Sequence, residues 1–172
     1  NISDVSEFEV SPNGKEIAFV NRGEVFVTGT DDSRTKRITN TPQQERMISW
    51  SPDGKTLLFS GELDGSWNIY KATLSRPDET YFYASTTVLP EGHNYSYSDG
   101  DWGFEWSPDS KWLFVTDQKG SIFSSNTALL KADGTGEFIY PVNSGFGENG
   151  AKWALDGKMM VYASSRDGEK SL

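Results

Sequence analysis

His93 is the only histidine in 172 residues, and the chain has no cysteine. Thiol nucleophiles, disulfides, iron–sulfur clusters and cysteine-ligated zinc are therefore excluded, and any Ser–His–Asp relay would have to use His93. His93 sits in Pro90-Glu91-Gly92-His93-Asn94-Tyr95-Ser96-Tyr97-Ser98-Asp99-Gly100-Asp101, a polar stretch with the character of a solvated loop. No Gly-x-Ser-x-Gly elbow and no Walker loop occurs anywhere, so neither a hydrolase serine on a strained turn nor a phosphate cradle is indicated. Asp99, Asp101 and Glu105 could offer oxygens to Ca2+, but calcium takes six to eight oxygens and the EF-hand spacing is missing. Turn formation by Asp-Gly accounts for that acidic group more simply. The residue types thus predict no catalytic, metal or cofactor site in this chain.

Aromatic side chains are the remaining candidates for function. Trp67, Trp102, Tyr95 and Tyr97 fall in or beside loop-like stretches. Stiff aromatic side chains there offer contact area to a peptide or protein partner. The formal charge of −9 argues against nucleic acid and anionic membranes as partners, since both are bound through basic patches. No run of 18 apolar residues exists, so membrane insertion by a helix is not expected.

The elements that would carry these residues repeat. Phe8-Glu9-Val10-Ser11-Pro12-Asn13-Gly14-Lys15 returns as Ile48-Ser49-Trp50-Ser51-Pro52-Asp53-Gly54-Lys55 and as Phe104-Glu105-Trp106-Ser107-Pro108-Asp109-Ser110-Lys111. A worn copy, Ala151-Lys152-Trp153-Ala154-Leu155-Asp156-Gly157-Lys158, follows. Successive copies are 40, 56 and 47 residues apart, a period that on strand-like segments points to propeller blades. Apolar residues alternate before each turn, which is a strand with two unlike faces. Pro presets φ, Asp or Asn caps its own backbone, and Gly accepts positive φ. Ser110 replaces that Gly in the third copy, so its turn is expected to differ slightly. After each Lys an apolar run follows, such as Leu57-Leu58-Phe59, as expected of a strand covered on both faces.

Third strands are predicted at Val25–Val27, Asn68–Ala72 and Thr127–Leu130, with fourth strands at Arg37–Thr39, within 81–89, and at Phe138–Tyr140. The equivalent Trp50, Trp106 and Trp153 read as core between blades. The fold expected is all-β: a partial β-propeller of four-stranded antiparallel blades, about three and a half of them. Blade 1 takes about 1–40, and blade 2 about 41–98 with an insertion at about 75–101. Blade 3 takes about 99–144, and an incomplete blade 4 about 145–172. Open faces on such a fragment would call for the remaining blades, on a further segment of a longer polypeptide or on another copy.

The Ser-Pro-Asp-Gly-Lys phrase with its apolar strand resembles the PD40, WD40-like repeat of TolB-type propellers, tricorn-type proteases and prolyl-oligopeptidase relatives. Longer stretches are Phe8–Val20, Arg22–Val27, Arg37-Ile38-Thr39-Asn40-Thr41-Pro42, Gly65–Tyr70, Lys152-Trp153 and Asp156-Gly157-Lys158. They look like the N-terminal propeller of bacterial tricorn-like serine peptidases of the S41 class. That resemblance implies a non-catalytic segment that binds, gates or guides peptides toward a catalytic domain outside this chain, with further domains as partners. A TolB-like interaction propeller and the propeller of a prolyl-oligopeptidase-like hydrolase are the alternatives. Bacterial relatives with such propellers are often exported, so a periplasmic setting is expected over a cytoplasmic one.

Overall fold

The repeated phrase builds the same turn each time. In the computed structural model, which describes residues 3–63, 66–85, 88–92, 104–117, 126–142, 144 and 146–166, Ser11 Oγ donates to Asn13 Oδ1 at 2.8 Å and accepts from Glu16 N at 2.9 Å. Ser51 Oγ donates to Asp53 at 2.6 Å and accepts from Thr56 N at 2.9 Å. Ser107 does the same with Asp109 and with Trp112 N. One buried hydroxyl thus ties the turn to the start of the next strand. Gly14 and Gly54 take φ of 71° and 70°, and Ser110 takes 61°. The third turn therefore keeps the geometry of the others instead of departing from it, with a side chain in the left-handed region.

Two compact units follow, Asn1–Gly100 and Asp101–Leu172. The first holds two four-stranded antiparallel sheets. One contains β1 (Val5–Val10), β2 (Glu16–Asn21), β3 (Glu24–Gly29) and β4 (Thr35–Arg37) in chain order. The other contains β5 (Glu45–Trp50), β6 (Thr56–Leu63), β7 (Ser66–Leu74) and β8 (Val88–Gly92), also in chain order. Strand β8 lies inside the stretch read as an insertion. A short 3-10 turn, Phe82–Ala84, occupies part of the range expected to be strand. Its Phe82 is fully buried and meets Trp50 edge-on, with ring centroids 5.2 Å apart. Ala18, Val20, Val25, Val27, Ile38, Leu57, Phe59 and Ala72 complete this core.

The two sheets are joined by carboxylates as well as by apolar packing. Strand β5 carries a bulge between Arg46 and Ser49, with Met47 at φ 58°. A bulge frees backbone N–H groups from the ladder. Glu7 accepts from Met47 N at 2.6 Å, and Glu9 accepts from Trp50 N at 2.8 Å. The face of β1 that meets β5 is thus its acidic one. On its other face Phe8 and Val10 are 71% and 48% exposed, so the two faces of this strand are indeed unlike, with the carboxylates on the packed side.

In the second unit β9 (Phe104–Trp106), β10 (Trp112–Asp117) and β11 (Asn126–Lys131) form one sheet in the order β11-β10-β9. The expected fourth strand at Phe138–Tyr140 is a single bridge, Leu129 to Ile139. Strands β12 (Glu148–Trp153) and β13 (Met160–Ser164) form a hairpin. Trp153 stacks on Phe114 at 4.4 Å, and Trp106 is half-buried. Val161 in the worn copy is exposed, unlike its equivalent Leu58, which is fully buried.

Candidate functional site

The first unit has a pocket of about 360 Å3, lined by Ile38, Thr39, Asn40, Thr41, Gln43, Glu45, Phe59, Gly61, Glu62 and Tyr70. Its location follows from the way the chain leaves the first sheet. Ile38 N and Thr39 N both reach Val25 O, and Val25 N donates back to Thr39 Oγ1 at 2.9 Å. These bonds end β4 at Arg37 and fix the two residues that follow. Segment 38–44 then crosses to β5, anchored by Glu45 N to Gly23 O at 2.7 Å and by Glu62 N to Gln44 O at 3.1 Å.

One wall is aromatic. Phe59 and Tyr70 stack with centroids 5.6 Å apart. A Cβ on Gly61 would lie 3.0 Å from the Tyr70 ring, so only glycine leaves that ring its place. The opposite side is acidic. Glu45 is buried, accepts from Thr41 Oγ1 at 2.5 Å, and lies 2.9 Å from Thr39 Oγ1. Thr39 Oγ1 also lies 2.7 Å from Glu24 Oε2, and Glu24 is paired with Arg37 at 2.6 Å. Burial above all pushes the Glu45 carboxyl above its ordinary value, with the Glu24 charge adding to the rise. Glu62 and Asn40 stand exposed at the rim.

Of the residues singled out from the sequence, Trp67 is only 9% exposed and lies beneath Arg46, whose guanidinium carbon is 3.8 Å from the ring centroid. Trp102, Tyr95 and Tyr97, with His93, Asp99 and Asp101, lie outside the described residues. Glu105 pairs with Lys152, and both line a hollow of about 110 Å3 in the second unit together with Thr127. Among the described residues no three His, Cys, Asp or Glu side chains gather as metal ligands would, and no helix is long and apolar enough to cross a membrane. Gly145-Phe146-Gly147-Glu148-Asn149-Gly150 spells the letters of a dinucleotide turn. It runs into strand β12 rather than from a strand into a helix, so it lacks that turn's context.

The pocket residues were missed in the sequence. Arg37–Thr39 reads as a fourth strand and Arg37–Pro42 as a stretch of family likeness, neither of which marks a pocket, and a lone acid before a strand such as Glu45 resembles any solvated one. The available signal is a second copy. Glu45 and Glu148 each precede a tryptophan by five residues and are both buried. Each also accepts from a hydroxyl four residues earlier, Thr41 or Ser144.

No protein-family model matches the sequence, and no curated protein matches it. Among solved structures the chain is similar to TolB from Acinetobacter baumannii, with a TM-score of 0.67 and 21% identity, over 96% of this chain and 39% of that one. It is also similar to a putative TolB from Agrobacterium tumefaciens, with a TM-score of 0.65 and 17% identity, over 96% of this chain and 56% of that one. The chain thus spans about half the length of these structures or less. With its all-β sheets and this likeness along nearly its whole length, the chain has the fold of a TolB-like β-propeller, of which it forms a part.

Proposed function

We propose that this chain is a protein–protein interaction segment of the TolB-like kind, which holds a stretch of a partner polypeptide at the pocket between segment 38–45 and strands β6 and β7. The observation that carries the reading is the pocket itself: an aromatic and aliphatic wall, a few convergent polar groups, and a buried carboxyl. Binding sites are commonly built this way. The likeness to TolB structures supports an interaction propeller over the peptide-guiding propeller of a tricorn-like peptidase, for which only the sequence stretches speak. Tyr95, Tyr97, Trp102 and Trp67 remain proposed partner contacts. A periplasmic or otherwise exported setting belongs to the same proposal.

Selection of peptides from a random displayed library on the full chain tests this reading. The expected binders lose about tenfold in affinity, measured by fluorescence anisotropy, when Asn40→Trp closes the rim. Binders indifferent both to Asn40→Trp and to Gly61→Ala would move the site elsewhere, and a library yielding no binder would remove the reading. Cleavage of the selected peptides by the purified chain, abolished by a substitution within it, would contradict a non-catalytic role.

A further inference from the structure

Thr39 has one hydroxyl proton and two carboxyl groups within reach, Glu24 at 2.7 Å and Glu45 at 2.9 Å. Its other hydrogen bond is already accepted from Val25 N. If Thr39 donates to one carboxylate, the second oxygen–oxygen approach needs a proton from the carboxyl side. Glu24 holds the Arg37 guanidinium, so Glu45 is the group to carry that proton. Glu24 on β3 and Arg37 on β4 act on Glu45, and Glu62 on β6 and Tyr70 on β7 line the same pocket. Arg37 is the one cation among them, and it is committed to Glu24.

We infer that the partner segment anchors in this pocket through one arginine side chain, and that its arrival expels the proton shared by Glu45, Thr39 and Glu24. This rests on the reading of the pocket as a partner-binding site. A guanidinium is suited on two counts, since it stacks on aromatic faces and forks onto a carboxylate. The same unit already shows the first contact, with Arg46 laid over Trp67. The aromatic wall of Phe59 and Tyr70 would line one side of the aliphatic stem, Glu45 would receive the head, and Glu62 would meet it at the mouth. One positive charge enters as one proton leaves to the buffer, so the charge held in the pocket is unchanged. The net charge of −9 further favours a basic segment over an acidic one.

The test uses acetyl-Ala-Ala-Arg-Ala-Ala-amide and its citrulline counterpart, which keeps the shape and removes the charge. The full chain should bind the arginine peptide about tenfold more tightly. Glu45→Gln should erase that preference. Asp31→Asn makes the same carboxyl-to-amide change at an exposed site and should keep it. Calorimetry in two buffers of different protonation heat should show proton release with the arginine peptide, lost in Glu45→Gln. If Glu45→Gln does not fold, the unaltered chain decides. Arginine-peptide affinity should rise as pH climbs through the Glu45 titration, while citrulline-peptide affinity stays flat. Equal binding of both peptides, a preference that survives Glu45→Gln, or heats independent of buffer overturns the inference. Library peptides that bind through the Asn40 rim without arginine would sink this inference and leave partner binding standing. A library without binders would sink both.

Discussion

Ser110 stands at φ 61° where Gly14, Gly54 and Gly157 hold the equivalent turn position at 71°, 70° and 66°. A left-handed conformation with a Cβ costs about 1–2 kcal/mol, and glycine gives back part of that in unfolded-chain entropy. Ser110→Gly should therefore raise stability by about 0.5–1 kcal/mol, read from urea midpoints. Thr127 is 3% exposed, and its hydroxyl has no hydrogen-bond partner among the described residues. Thr127→Val keeps the shape and removes the unsatisfied group, so it should stabilise by about 1 kcal/mol. Turn residues such as Ser11, Pro52 and Asp109 were readable from one sequence because their roles are local. Glu45 was not, because its character comes from Thr39 and Glu24, which only tertiary packing brings to it.

At the scale of elements, the hairpins around each repeated turn and the third strands at β3, β7 and β11 stand where alternation and apolar runs placed them. The departures have physical causes. Between β7 and β8 the chain inserts Phe82 into the core, and Tyr83 N donates to the buried Glu16 at 3.1 Å. An aromatic plug in a polar connector carries no periodicity to detect. Phe82→Ala should cost about 3–5 kcal/mol in chemical denaturation, far more than a loop substitution would. Strands β5 and β12 share a further device: a bulge after the first residues, a left-handed third residue, Met47 or Gly150, and a tryptophan at the end. Periodicity counts residues evenly, so it passes over a bulge.

For the molecule as a whole, buried carboxyls set the response to pH. Burial raises Glu9, Glu16 and Glu45 above their ordinary value of 4.5. Between that value and the raised ones the folded state binds more protons than the unfolded chain, so this contribution is present below about 4.5 and fades as pH rises. Asp32 and Asp109 are held below 3.8, chiefly by hydrogen bonds from Arg34 and Ser107, and their contribution fades as pH falls through those lowered values. Thermal unfolding from pH 3 to 8 should thus be latest near pH 4–5, and Glu16→Gln should flatten the decline on the alkaline side. A maximum at pH 7 or above would contradict this account. One consequence belongs to the acidic face of β1. Glu7 and Glu9 grip main-chain N–H groups of β5, which every residue type except proline supplies. The receiving side chain at 47 is thereby released from specifying that joint, whereas Trp50 also donates from its ring Nε1 to Glu9 O at 3.3 Å. Neighbouring sheets can diverge at such positions while their alignment is inherited through the backbone.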